Sequence, residues 1–223
     1  ILTCCTAGTE QGTFEEFAGY WQHLIDGCSE PTFFDSLTWQ KLWWSEFGAN
    51  SELKLLAVRS GSGDIKMIAP LMIDGSGISF LGSTDLVDYH DFLSTDHSAA
   101  GSLEAVARAI DEMPGVKSIN LQSIPGNSAI ITKFREFAEK FGWNVEIRQE
   151  DVAPLLALPE SWDAYLASLR RKDRHELRRK LRRLEAAGEI RQIEWTRPDD
   201  IDADAQARRR PHHRAGVAGD VRL

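Results

Sequence analysis

Cysteine is scarce in this chain: Cys4, Cys5 and Cys28 are all it has. An odd number with no Cys-x-x-Cys spacing argues against a disulfide framework and against a structural zinc site. Three reduced thiols point to a cytoplasmic location. Long apolar runs are missing as well. No stretch approaches the roughly 18 residues a membrane-spanning helix needs, so no membrane span is expected. The opening Ile1-Leu2-Thr3-Cys4-Cys5 has no Met and no basic segment leading into an apolar one. It therefore does not read as a signal peptide, and the chain reads as beginning inside a longer frame. No Gly-x-Ser-x-Gly elbow occurs, which disfavours a serine hydrolase. No Gly-rich phosphate loop and no repeat at solenoid periods occurs either.

What is present suits a globular protein. The 223 residues are 42% hydrophobic and 27% charged, enough for one full core and part of another. The net charge of −8 is unevenly spread. Residues 1–160 hold 10 Lys and Arg against 23 Asp and Glu, whereas residues 161–198 hold 11 against 6. An acidic body thus meets one basic segment.

Apolar spacing predicts a helix over residues 13–26, carrying Phe14, Phe17, Tyr20, Trp21, Leu24 and Ile25. Thr13 and Glu16 are spaced as a capping box. A second helix follows Asp35-Ser36 with Leu37, Trp39, Leu42, Trp43, Trp44 and Phe47, and ends at Gly48. The tryptophans read as packing residues rather than a ligand box. Strands are expected over 53–59 and 65–73, joined by the Ser60–Asp64 turn, and over 77–82. Pro70 implies a bulge or an edge position, because it lacks a ladder donor. After a polar, acidic loop and a strand-like Phe92-Leu93 come a helix near 101–113 and a strand at 116–122. A helix at 128–141 and strands at 143–149 and 152–158 follow. The fold class is α/β: a mixed, mostly antiparallel sheet flanked by helices.

Residues 161–188 read as one long helix from Ser161 to Gly188, with a short strand at 190–196 after it. Leu166, Leu169, Leu177, Leu181 and Leu184 form its apolar face. Arg170, Asp173 and Lys180 fall on or beside that face, with Arg174 at its edge. Residues 199–223 read as a disordered tail or as out-of-frame sequence, because apolar periodicity vanishes there. The expected division is therefore 1–158, 159–198 and 199–223.

Two places carry candidate chemistry. The loop Asp85, Asp88, Tyr89, His90 and Asp91 sets carboxylates beside a phenol and an imidazole. It fits a cationic or hydroxylated acceptor or a general base, and equally an ordinary polar turn. Its spacing does not argue for a metal. The basic helix, with Arg170, Arg174 and Arg178, fits an anionic substrate or coenzyme phosphates, and equally a solvated connecting helix. Nucleic acid is disfavoured as a partner, since the body is acidic and no stacking aromatics accompany the arginines.

Three patches together resemble a known family. They are Pro31-Thr32-Phe33-Phe34-Asp35-Ser36-Leu37-Thr38-Trp39; Ile68-Ala69-Pro70-Leu71-Met72 with Phe80-Leu81-Gly82 and Asp88-Tyr89; and Leu169 to Arg174 with Arg178-Arg179 and Leu184-Glu185. In this order, over residues 30–196, they resemble the GNAT-superfamily acetyltransferase-like family associated with the cellulose-biosynthesis protein CelD. That family is distantly similar to the Fem aminoacyltransferases, which pair two GNAT-like halves. The resemblance implies one GNAT-like half (1–158) and the start of a second. It implies acyl transfer from acetyl-CoA or another acyl-CoA to a small-molecule or saccharide-related acceptor. Asp85, Asp88, Tyr89, Arg170, Arg174 and Arg178 are the residues expected to bind substrate. The family's coenzyme loop, Arg/Gln-x-x-Gly-x-Gly/Ala, would fall at Ser94–Ser102, which lacks it, and Asp96 would repel a pyrophosphate. Coenzyme binding is therefore expected in the second half, and this chain alone is expected to be inactive. The alternatives are an inert GNAT-like binding module and a Fem-like transferase in which the basic helix lies near aminoacyl-tRNA.

Overall fold

The computed structural model describes residues 8–28, 30–82, 85–95 and 100–188. It divides into two units, Ile1–Val152 and Ala153–Leu223. The first unit opens with strand β1 (Gly8–Gly12), helices α1 (Phe14–Gly27) and α2 (Leu37–Phe47), and strands β2 (Glu52–Arg59), β3 (Ile65–Asp74) and β4 (Gly77–Phe80). It continues with β5 (Leu93–Ser94), α3 (Ala100–Asp111), β6 (Ser118–Asn120), a π-helical turn (Ile130–Phe134) and α4 (Arg135–Lys140). Ladder order is β1-β2-β3-β4-β6, with β5 paired to β3. Every pairing is antiparallel except β4 with β6. The fold is thus α/β with a mixed, mostly antiparallel sheet flanked by helices.

The apolar runs of β2 and β3 are continuous because both faces of the sheet are covered. Leu55, Ala57, Ile65 and Ile68 join Phe14, Phe17, Trp21, Leu24 and Trp43 of the first two helices in one core. Leu56, Val58, Met67 and Ala69 join Val106, Ile110 and Phe134 in the other. Alternation with period two sends neighbouring side chains to opposite faces. A strand buried on both sides must then be apolar throughout. Burying each of Trp21, Leu24 and Ile68, all fully enclosed, contributes about 1.5–3 kcal/mol.

The first two helices start where local chemistry says they should. Thr13 Oγ1 accepts from Glu16 N–H at 3.3 Å, and Thr13 N–H donates to Glu16 Oε2 at 2.7 Å, a reciprocal cap. Ser36 caps α2 through Trp39 N–H. Tyr20, although on the predicted apolar spacing, is 40% exposed, with the Arg59 guanidinium 5.4 Å from its ring centroid. On α2, Leu42 and Phe47 are also exposed, while Trp43 is buried.

Several expectations need correction. Pro70 is neither at a bulge nor on an edge strand. It pairs with Leu55 in β3, between β2 on one side and β4 and β5 on the other. Its carbonyl accepts from Leu81 N–H at 2.9 Å. N–H and C=O of one strand residue point the same way in an antiparallel ladder, so the missing donor faces the notch where β5 pairing ends and β4 pairing begins. The register irregularity lies instead at Val58/Arg59. The predicted strand at 116–122 shrinks to Ser118–Asn120. The helix at 128–141 begins as a wider π turn that places Ile130 and Phe134 in one core. The strands expected at 143–149 and 152–158 do not form. Apolar alternation there has no ladder partner, and Leu155 is 98% exposed.

The second unit corrects the single long helix. It contains α5 (Trp162–Ser168) and α6 (Arg171–Ala186), separated by extended backbone at Leu169 and Arg170. Ser161 caps α5 as expected, its Oγ accepting from Ala164 N–H. Ser168 Oγ donates to Tyr165 O at 2.7 Å, a side-chain bond that competes with helix continuation. The break separates Leu166 and Leu169 from Leu177, Leu181 and Leu184, so the five leucines share no one helical face. The strand expected at 190–196 and the tail from 199 lie outside the described residues.

The contrast between core and unpaired chain is directly measurable. Ile68→Ala should cost about 2–5 kcal/mol by urea denaturation. Leu155→Ala should change stability by no more than about 0.5 kcal/mol. A large loss at Leu155 would mean that residues 152–158 are paired after all.

Candidate functional site

The one parallel junction among the described strands, β4 beside β6, sets where a site can form. The strands run together and both end at loops: Tyr89–Leu93 lies on the long connection after β4, and Pro125–Ser128 follows β6. In open α/β sheets, ligands settle off the carboxyl ends of parallel strands, where the two chains part. A cleft of ≈ 270 Å³ lies there. One wall is Tyr89, His90, Asp91, Phe92 and Leu93; a second is Pro125, Asn127 and Ser128. The third comes from the connection between α1 and α2, through Cys28, Glu30, Thr32 and Asp35.

These walls are tied to one another. Thr32 donates to Asp35 Oδ2 through its N–H at 2.7 Å and its hydroxyl at 2.8 Å. Asn127 Nδ2 donates to Glu30 Oε2 at 3.3 Å, joining the loop after α1 to the loop after β6. Cys28 Sγ donates to Ser94 O at 3.3 Å. Burial pushes that thiol's pKa up, with Asp35 and Asp91 adding to the effect against the Ser94 hydrogen bond. It is held as a thiol, not as a nucleophilic thiolate. Asp91 Oδ1 accepts from Phe92 N–H at 2.7 Å. The walls thus contain three carboxylates and no Lys or Arg.

His90 anchors the floor. Its ring stacks on Phe80 with centroids 5.0 Å apart and planes 3° from parallel. Its N–H donates to Ser123 O at 2.9 Å. Nδ1 lies 3.2 Å from the Gln122 carbonyl. A carbonyl only accepts, so the proton sits on Nδ1 and Nε2 carries the lone pair. Burial lowers the His90 pKa to about 4, against the Gln122 hydrogen bond and the Glu150 charge. Nε2 is buried and has no hydrogen-bond partner among the described residues. It fits against Gly82, where a Cβ would come within 2.4 Å of it. Gly82 also has φ +143°, so glycine is required twice over. Ser123 is left-handed at φ 56°. It is held from both sides, its carbonyl by His90 and its N–H by Glu150 Oε2 at 2.8 Å.

Of the residues singled out from the sequence, Tyr89 lines the cleft, whereas Asp85 and Asp88 are exposed and do not. His90 and Asp91, neighbours in the same loop, do. Arg170, Arg174 and Arg178 belong to the second unit. Arg170 precedes α6 and its Nε donates to Asp173 Oδ2 at 2.8 Å, where an aspartate also suits the helix dipole. Arg174 and Arg178 lie one turn apart on α6. The pairs Arg174/Arg178, Arg178/Arg182 and Arg179/Arg183 are like charges at i,i+4, each costing the helix about 0.2–0.5 kcal/mol. Sequence reasoning passed over Glu30, Asn127 and Ser128. The Thr32-x-x-Asp35 spacing was a legible signal that this connection is ordered.

Among the described residues, no group of His, Cys, Asp and Glu is arranged to hold a metal ion. Nor is any helix long and apolar enough to cross a membrane. A scan against protein-family models, a search of curated proteins and a search of solved structures each find no match to this chain.

The buried imidazole has a pH signature. The native state keeps His90 neutral down to about pH 4, while the unfolded chain takes up the proton near its ordinary pKa of about 6.5. Stability from His90 is therefore complete above pH 6.5 and falls as pH drops towards 4. The stability advantage of wild type over His90→Gln should shrink by about 2 kcal/mol between pH 7 and pH 5. Paired urea titrations at the two pH values read this; an unchanged difference would mean that His90 is not buried as a neutral base.

Proposed function

We propose that the Ile1–Val152 unit is the acceptor-binding half of a GNAT-type acyltransferase, with the acceptor held in the cleft at the carboxyl ends of β4 and β6. The reading is supported by the family resemblance of the three sequence patches. It is supported also by the element order: two helices, an antiparallel meander, a crossover helix and a parallel strand. The observation that carries it is the cleft's position together with its lining. Three carboxylates, a phenol, two hydroxyls and an amide form a wall of hydrogen-bond acceptors and neutral donors. Such a wall suits an amine or hydroxyl nucleophile and does not suit the phosphates of an acyl-CoA. The donor, acetyl-CoA or another acyl-CoA, is expected to be held outside this unit.

In that chemistry the acceptor's nitrogen or oxygen attacks the thioester carbonyl. A carboxylate takes the nucleophile's proton, backbone donors steady the oxyanion, and the coenzyme leaves as its thiol. Asp91 and Glu30 are the cleft carboxylates nearest in kind to that role. An acceptor on a saccharide or its precursor is the substrate class the resemblance favours.

A second reading, a catalytically inert binding module, has its own support. Asp35, Glu30 and Asp91 each already accept a hydrogen bond from the protein, Cys28 is held protonated, and His90 Nε2 is sealed against Gly82. The Fem-like alternative would add aminoacyl-tRNA as donor.

Thermal-shift titrations with amino sugars, neutral saccharides, primary amines and acetyl-CoA separate these readings. An acceptor-class ligand at 100 times its Kd should stabilise the chain by about 2.7 kcal/mol. Asp91→Asn should weaken that binding by about 10-fold or more, through loss of a charged acceptor. Stabilisation by acetyl-CoA would reverse the assignment of the cleft, and silence towards every ligand would leave the inert module.

A further inference from the structure

We propose that helix α6 is a docking surface for the phosphate backbone of a nucleic-acid duplex. No part of this rests on the cleft. At about 100° per residue, Arg171, Lys172, Arg178, Arg179, Arg182 and Arg183 share one side of the helix, and all six are exposed. Leu177, Leu181 and Leu184 lie on the other. From Arg171 to Arg183 the charged side is about 18 Å long, with cations on every turn but one, where His175 stands.

Three observations make this more than a solvated face. First, eight cations share α6 with three carboxylates, and the salt bridges among the described residues of this unit are Arg170–Asp173 and Arg179–Glu176. Arg171, Lys172, Arg178, Arg182 and Arg183 make none among the described residues. Second, the i,i+4 neighbours on this side repel one another, whereas a helix built only for water gains from Glu-to-Lys pairs at that spacing. A polyanion laid along the face removes the repulsion. Third, the charges are mainly guanidinium groups, whose planar forks match phosphate oxygens.

The occupant follows from what the face lacks. It carries no Phe, Tyr or Trp, and the single imidazole of His175 gives no row of rings for stacking successive bases of a single strand. Without a row of stacking rings, the partner must present its phosphates in an ordered row, as a duplex does. An anionic membrane fits less well, because an interfacial helix dips its apolar side into the lipid, and here that would turn the arginines towards water. The acidic composition of the chain argued against nucleic acid, but at 0.1 M salt charges more than about 10 Å from the face are largely screened.

The test is fluorescence anisotropy of the full chain with a labelled 20-base-pair RNA duplex and the matching DNA duplex, from 50 to 200 mM salt. Contact with five or six phosphates predicts a slope of log K against log salt of about −5. Binding to one duplex or to both supports the proposal and identifies the source. Arg178→Gln, Arg179→Gln, Arg182→Gln and Arg183→Gln combined keep helix propensity near that of arginine. This variant should bind about 100-fold more weakly at 50 mM salt, with the slope reduced by about 3 to 4. The same four positions changed to Lys should stay within about 10-fold of wild type, which separates charge from any folding defect. The proposal is overturned if neither duplex binds at 50 mM salt, or if the folded Gln variant binds as wild type does. It is overturned too if phosphatidylserine vesicles bind while both duplexes fail.

Discussion

Everything in the first unit depends on β2 and β3 being buried on both faces. Leu55 and Leu56, one residue apart, enter different cores. A central pair whose inner runs, Leu55–Val58 and Met67–Ile73, have no polar position leaves the chain no option but to supply helices on either side. The two helices before the meander cover one face; α3, the π turn and α4 cover the other. A polar residue in the middle of either strand would lose its water on whichever side it pointed.

The cleft is a consequence of how that sheet ends. An antiparallel meander closes with tight turns and leaves little space. A parallel pair needs a crossover, and the crossover through α3 sends the chain away from β4 and brings it back into β6. The two strands finish side by side with loops that part from one another. Pro70 belongs to the same geometry, because its missing donor falls in the notch between β5 and β4, where no ladder bond is lost. His90 then fills the space under the cleft, its ring stacked on Phe80 and its Nε2 fitted against a glycine that cannot be replaced without a clash. The floor is thereby a neutral base at ordinary pH, and the charge in the cleft is left to carboxylates.

Much of this was legible in the residues themselves. The capping pair Thr13 and Glu16, the Ser36 cap, the Ser60–Asp64 turn and the start of α5 at Ser161 are local, and local rules placed them. The order of elements, an antiparallel meander followed by alternating helix and strand, announced a mixed sheet flanked by helices. The loop around Tyr89 was identifiable as a site candidate because it concentrates polar groups between apolar strands. What local rules missed was whatever depends on a distant partner. Residues 143–149 and 152–158 have the spacing of strands but no neighbour to pair with. The leucines of residues 161–188 have the spacing of one helix, yet the chain turns extended at Leu169 and Arg170.

The sequence by itself determined the α/β class, the helices that flank the sheet and the segregation of charge between an acidic body and a basic helix. These follow from spacing and composition, which act over one or two turns of chain. Only the tertiary structure decided which acidic residues face the cleft. Asp91 lines it while Asp85 and Asp88, three to six residues away, remain in water. Glu30 and Asn127, 97 positions apart, meet across it. The reason is physical: a residue's role at a site is set by its direction and by what lies opposite, and neither is specified until the sheet has ordered its strands.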